Sequence, residues 1–208
     1  MHENVEPLRV FHYFENICAI PHGSGNTDGI SEFCVNFARE HGLEYKKDAL
    51  NNVIIKKAAT AGYENHPTVI LQGHLDMVCE KTADCDIDFK KDGLHLVLTG
   101  DMLSADGTTL GADDGIAVAM ILAVLEDETA AHPPLEALFT TDEETGMYGA
   151  EGVDVSALSG STLINLDSGE EGVLTVGCAG GAKADFKMPI ELCENTEPCV
   201  KITVSGLL

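Results

Sequence analysis

The stretch Thr68-Val69-Ile70-Leu71-Gln72-Gly73-His74-Leu75-Asp76 decides the reading of this chain. An apolar run ends in glycine, and an imidazole and a carboxylate follow two residues apart. Read as a strand, Thr68 to Gln72 is apolar enough to be buried on both faces, as in a parallel or mixed sheet. Alternation then carries His74 and Asp76 onto one face at its end, where a carboxylate can orient a metal-binding imidazole. His-x-Asp alone is a common tripeptide. It gains weight from three later apolar segments that also end in acid: Gly111-Ala112-Asp113-Asp114-Gly115, Thr141-Asp142-Glu143-Glu144-Thr145-Gly146 and Ile164-Asn165-Leu166-Asp167-Ser168-Gly169. Each of these, taken singly, is also what a turn or a solvated helix start looks like.

Working outward, the segments alternate between helix and strand patterns. Pro7 to Ala19 puts Leu8, Phe11, Phe14, Ile17 and Cys18 on one helical face, and Pro21 stops it. The turn Pro21-His22-Gly23-Ser24-Gly25-Asn26-Thr27 lacks a preceding strand and a following Gly-Lys-Ser/Thr, so it reads as a loop rather than a phosphate cradle. A second helix runs from Thr27 or Asp28 to about Glu40, with Ile30, Phe33 and Phe37 inward. Leu43 to Ala49 and Val53 to Lys57 form a hairpin around Leu50-Asn51-Asn52. Weak strands at Leu94–Leu98 and Met102–Ser104 follow. For Asp114 to Glu128, alanine content and length favour a buried helix, though periodicity does not decide it. Leu135–Thr141 and Ser161–Leu166 read as strands, with the start of a helix at Gly146–Glu151 between them. Gly172–Cys178, Ala184–Ile190 and Val200–Val204 are strand-like. The fold class is therefore α/β, a mixed and mainly parallel sheet flanked by helices. In such sheets ligands collect beyond the strand carboxyl ends, where the four acid-bearing stretches are expected to meet.

Composition limits the function. The 208 residues suit one large domain or slightly more, and 44% hydrophobic content supplies a core. With 35 acidic against 12 basic residues the net charge is −23. This argues against nucleic acid and anionic membranes as partners, and bound divalent cations would relieve the self-repulsion. The seven cysteines are odd in number and form no C-x-x-C pair, which suits reduced thiols in a cytoplasm. The amino-terminal stretch shows no secretory signal, and the longest apolar run, Ile116–Leu125, is too short to cross a bilayer.

One imidazole among several carboxylates suits zinc, manganese or cobalt better than calcium. Two such ions bridged by one carboxylate acidify water and polarise a carbonyl, and a further carboxylate must then carry the proton. Glu143-Glu144 can supply a ligand and a base if the backbone there is irregular, because in a regular strand they point apart. Of the other histidines, His132 before Pro133-Pro134 is the next candidate, and the rest read as surface or core.

In this order, these stretches resemble the zinc-dependent exopeptidases of the aminoacylase and carboxypeptidase type, and within them the aminoacyl-histidine (Xaa-His) dipeptidase branch. The likeness is carried by Ile20-Pro21-His22, Gly73-His74-Leu75-Asp76-Met77-Val78, Gly107-Thr108-Thr109-Leu110-Gly111-Ala112-Asp113, Glu143-Glu144-Thr145-Gly146-Met147 and Leu163-Ile164-Asn165-Leu166-Asp167-Ser168, and spreads over nearly the whole chain. The resemblance implies that His74, Asp113 and Asp167 hold one zinc, and that Asp113 bridges to a second held by Glu144. It implies Glu143 as general base and acid, Asp76 as the residue orienting His74, and a cis peptide between Asp113 and Asp114. It also implies a peptide substrate, and a full-length homodimer formed through a lid. Residues 1–183 would be an incomplete catalytic domain and residues 184–208 the truncated start of that lid. No residue here stands for the family's remaining histidine ligand, so the second zinc site is expected to be incomplete. An amidohydrolase of N-acyl amino acids, or a non-catalytic metal-binding fragment, would share these residues.

Overall fold

The computed structural model describes residues 5–169, 172–177, 180, 184–191 and 200–202. In chain order its elements are α1 (Leu8–Cys18), α2 (Asp28–Glu40), β1 (Glu44–Lys47), β2 (Val53–Lys57), β3 (Val69–His74), β4 (Leu96–Thr99), β5 (Met102–Ala105), α3 (Ala112–Glu126), β6 (Leu135–Thr140), α4 (Tyr148–Gly152), a 3-10 turn (Val155–Ala157) and β7 (Thr162–Asn165). Seven strands make two sheets among the described residues. One is five-stranded in the order β1-β2-β6-β3-β7, and the other is the β4-β5 hairpin. β1 and β2 pair antiparallel, as do β2 and β6, while β3 runs parallel to both β6 and β7. The sheet is mixed as expected, and its parallel half carries the acid-bearing strand ends.

Alternation along β6 shows why this strand sits at the centre. All of its residues are buried. Leu135, Ala137 and Phe139 join the main core with Val53 and Ile55 of β2. Leu138 turns to the other face, where it meets Ile54 and Ile70 beneath Val153, Ala157 and Leu158. The main core is closed by Phe14, Ile17, Ile30, Phe37, Val118, Ile121, Leu122 and Leu125 from the three long helices. α3 is apolar around nearly its whole circumference, as its sequence suggested, yet it lies only partly inside. Ile121 and Leu122 are fully buried, while Met120 and Val124 are each 42% exposed.

Three expectations shift. α1 buries Tyr13, edge-on against Phe37 with ring centroids 5.5 Å apart, whereas Leu8 in its first turn is 48% exposed. β3 continues past Gly73 to His74, so the imidazole belongs to the strand and Asp76 to the loop after it. Gly73 permits this, because a Cβ there would stand 2.7 Å from Asp114 Oδ2 and 3.3 Å from the Ala117 Cβ. Finally, the first compact unit runs Met1–Glu171 and a second runs Gly172–Leu208. In the second, the described parts of the expected strands (172–177, 184–190 and 200–202) have no regular structure, and Cys178, Thr203 and Val204 lie outside the described residues.

Candidate metal centre

The parallel register brings the chemistry together. Val69 lies opposite both Leu135 and Thr162, so β3, β6 and β7 end at one edge of the sheet. His74 closes β3, Glu143 and Glu144 follow β6, and Asp167 follows β7. Asp113 and Asp114 come in from the start of α3. His132 precedes β6 and thus stands at the opposite edge, where its Nδ1 donates to the Pro133 carbonyl at 2.7 Å.

His74 is 1% exposed. Its Nδ1 lies 2.8 Å from the backbone carbonyl of Asp76. A carbonyl only accepts, so Nδ1 carries the proton and Nε2 is the atom that faces the site. Nε2 lies 3.1 Å from Asp113 Oδ1. Burial pulls the imidazole pKa down, but the Asp76 hydrogen bond, the charges of Asp114 and Asp76 and the Asp113 hydrogen bond outweigh it and push the value to about 10.

The acids divide by environment. Asp113 is exposed over 74% of its side chain. Asp114 is buried, and its Oδ2 accepts the His74 backbone N–H at 3.1 Å. Burial raises Asp114 to about 7, and Asp167 and Asp113 add to this against the opposing pull of His74. Glu144 and Asp167 are raised as well, first by burial and then by neighbouring carboxylates, Asp113 and Glu143 in both cases. The peptide between Asp113 and Asp114 is cis, as the resemblance implied.

Asp76 behaves oppositely. Burial raises it, yet hydrogen bonds from His74, Ser24 and the Glu143 amide hold it below the usual carboxylate range. Its Oδ1 accepts the Glu143 N–H at 3.0 Å and its Oδ2 the Glu144 N–H at 3.3 Å. The turn is irregular, as two adjacent functional acids require: Asp142 has φ 53° and Met147 φ 61°.

Two sets of donor atoms lie within 4.8 Å of one another, His74 with Asp113 and Glu144, and His74 with Asp114 and Asp167. An imidazole nitrogen with converging carboxylates, of which Asp114, Glu144 and Asp167 are raised first by burial and then by neighbouring acids, is a donor set that fits a divalent cation. Sequence reasoning singled out five of the side chains here and also Asp76. It gave no role to Asp114, Ser24 or Asp142, and left His22 among the unassigned histidines. The Asp-Asp pair was the available signal for Asp114. Ser24 is 52 positions from Asp76 and nothing local announces their contact.

No family model matches the chain. It is 44% identical over 207 residues to the cytosol non-specific dipeptidase of Escherichia coli, a match covering 98% of this chain and 42% of that protein. The crystal structure of aminoacylhistidine dipeptidase from Vibrio alginolyticus superposes with a TM-score of 0.80 at 42% identity, covering 83% of this chain and 35% of the other. A tripeptidase from Staphylococcus aureus shares the fold, with a TM-score of 0.66 at 21% identity. The fold is thus that of a zinc-exopeptidase catalytic domain, with the mixed sheet and flanking helices the sequence indicated. Within that class the chain is a relative of the aminoacyl-histidine and cytosol non-specific dipeptidases, and it spans less than half the length of either match.

Proposed function

We propose that this chain carries the metal centre and the proton shuttle of a dipeptidase acting on Xaa-His and related dipeptides with a free amino end. The observation that carries the reading is the group of carboxylates around one buried imidazole, three of them (Asp114, Glu144 and Asp167) raised above the usual range. The two dipeptidase matches support the reaction type. His74, Asp113 and Asp167 would hold one divalent cation, and Asp113 with Glu144 a second. Asp114 also lies close to His74 and Asp167, but its carboxylate already receives the His74 amide, so it serves as the brace between β3 and α3. When bound, such cations polarise the scissile carbonyl and lower the pKa of water.

Glu143 takes the proton of the attacking water and passes it to the leaving amine. Asp76 keeps His74 in the tautomer that frees Nε2, and it holds the Glu143–Glu144 backbone still. The carboxyl-terminal residue, preferably histidine, departs with its amine restored. Zinc is the first choice of metal from the donor types, with manganese or cobalt as substitutes. We read the complete protein as a cytoplasmic homodimer. The free thiols of Cys18, Cys34, Cys79 and Cys85 support the compartment, and the family resemblance supports the dimer. Among the described residues no helix is long and apolar enough to cross a membrane.

Calorimetric titration of the chain with zinc tests the centre. One tight and one weaker binding event are expected, because this assignment gives the first ion His74, Asp113 and Asp167 and the second only Asp113 and Glu144. Two equal tight sites, or no binding, would contradict the assignment. In a full-length protein, a panel of Xaa-His dipeptides against N-acyl amino acids tests the substrate. Preference for the acylated compounds would make it an amidohydrolase, and zinc bound without turnover of either would leave a binding fragment.

A further inference from the structure

We infer that Ser24 is a positioning residue for the acidic turn, acting through Asp76. The Ser24 hydroxyl donates to Asp76 Oδ2 at 2.7 Å. Asp76 is 1% exposed, so its donors come from the protein. The same carboxylate receives the amides of Glu143 and Glu144, and the carbonyl of the same residue orients His74. One hydroxyl thus helps fix the rotamer of a carboxylate that holds the Glu143 and Glu144 amides and lies 3.5 Å from His74 Nδ1.

The loop that carries Ser24 is itself held. The Met77 amide donates to the His22 carbonyl at 3.1 Å, and Gly23 bridges to Met77 in parallel. The Asn26 amide closes the turn onto the Gly23 carbonyl at 2.8 Å. A second tether runs from the Gly25 amide to Asp142 Oδ1 at 2.6 Å, gripping the residue whose φ is positive. His22 is 2% exposed, and its Nδ1 donates to the Ile20 carbonyl at 2.6 Å, which anchors the start of the loop. Among the bonds that Asp76 accepts, the one from the Ser24 hydroxyl is the shortest. Without it the carboxylate keeps the Glu143 amide on Oδ1 at 3.0 Å and only the long Glu144 contact, 3.3 Å, on Oδ2, so its hold on the turn is loosened.

The consequence for metal affinity rests on the proposed function; the brace itself does not. The test is Ser24→Ala beside Ser24→Thr, each in the whole chain. With Ser24→Ala, hydrogen exchange at the Glu143 and Glu144 amides should quicken about tenfold, as expected for loss of a hydrogen bond to a charged group. The Ile121 and Leu122 amides of α3 should keep the wild-type rate. Zinc affinity, measured by chelator competition, should fall about tenfold, the lower end for partners that orient ligands. Ser24→Thr, which keeps the hydroxyl, should restore both. Unchanged exchange at Glu143 and Glu144 overturns the inference, as does acceleration shared equally by α3, which would mark a merely structural serine. Local acceleration in a chain that binds no zinc upholds the brace and rejects the metal reading.

Discussion

Glu143→Ala, made in a full-length protein containing this segment, should lower kcat for dipeptide hydrolysis by roughly 10²- to 10⁴-fold, the range for loss of a general acid–base. Its metal content, measured by elemental analysis, should be unchanged. The two results separate because of how the residue is attached. What ties position 143 to Asp76 is the backbone N–H, 3.0 Å from Oδ1, and alanine keeps it. The turn that presents Glu144 therefore survives while the proton carrier is lost. A variant that retains activity would reject Glu143 as the base. One that loses metal as well would move Glu143 from shuttle to ligand.

The second large effect lies far from the site, at Glu136→Ala. Glu136 is a 2% exposed acid near the start of the central strand β6. Its carboxylate accepts the Ser159 amide at 2.9–3.0 Å, the Ser159 hydroxyl at 2.9 Å and the Gly160 amide at 3.0 Å, with Lys56 Nζ at 3.2 Å. Burial pushes its pKa up, but these donors win and leave it below the usual carboxylate range. Removing the carboxylate strips two amides, a hydroxyl and a lysine of one acceptor. The expected cost is about 3–5 kcal/mol, as for breaking a buried ion pair from one side. For a domain of this size that lowers Tm by roughly 10 °C. The sign of the pH effect follows from the depressed pKa. The stabilisation is complete above the unfolded pKa and is lost as pH falls through the folded value. Wild type and variant should therefore differ most near neutrality and converge in acid. Equal chemical-denaturation midpoints at pH 7 would refute this account.

Much of the fold was legible because its signals are local. The hairpin announced itself at Leu50-Asn51-Asn52, and the positive φ of Asn51, 68°, shows why an asparagine suits that turn. The apolar runs before His74, Glu143 and Asp167 became β3, β6 and β7. Their common direction followed from the helices lying between them. Alanine content placed α3 as a helix. Less legible was anything decided by a partner distant in sequence. Tyr13 is buried because Phe37 of α2 faces it, and helical periodicity alone preferred Leu8. Asp114 sits inside because its carboxylate meets the amide at the end of β3, a contact across 40 positions. The strand-like pattern after Gly172 shows the converse. Apolar content such as Phe186 and Ile190 makes no strand in the described residues, where these side chains are 94% and 74% exposed.

The order β1-β2-β6-β3-β7 leaves β7 at one margin, and no described strand pairs with its outer side. Leu163 and Ile164 there are 52% and 44% open to solvent. Such a rim is a template on which a second molecule can add backbone to backbone, the first step toward fibrous assembly. Copies share a charge of −23, and the repulsion between them reaches about 10 Å at 0.1 M salt and about 3 Å at 1 M. Light scattering of this polypeptide is therefore expected to rise with ionic strength, and scattering that is unchanged between 0.1 M and 1 M salt would reject that consequence.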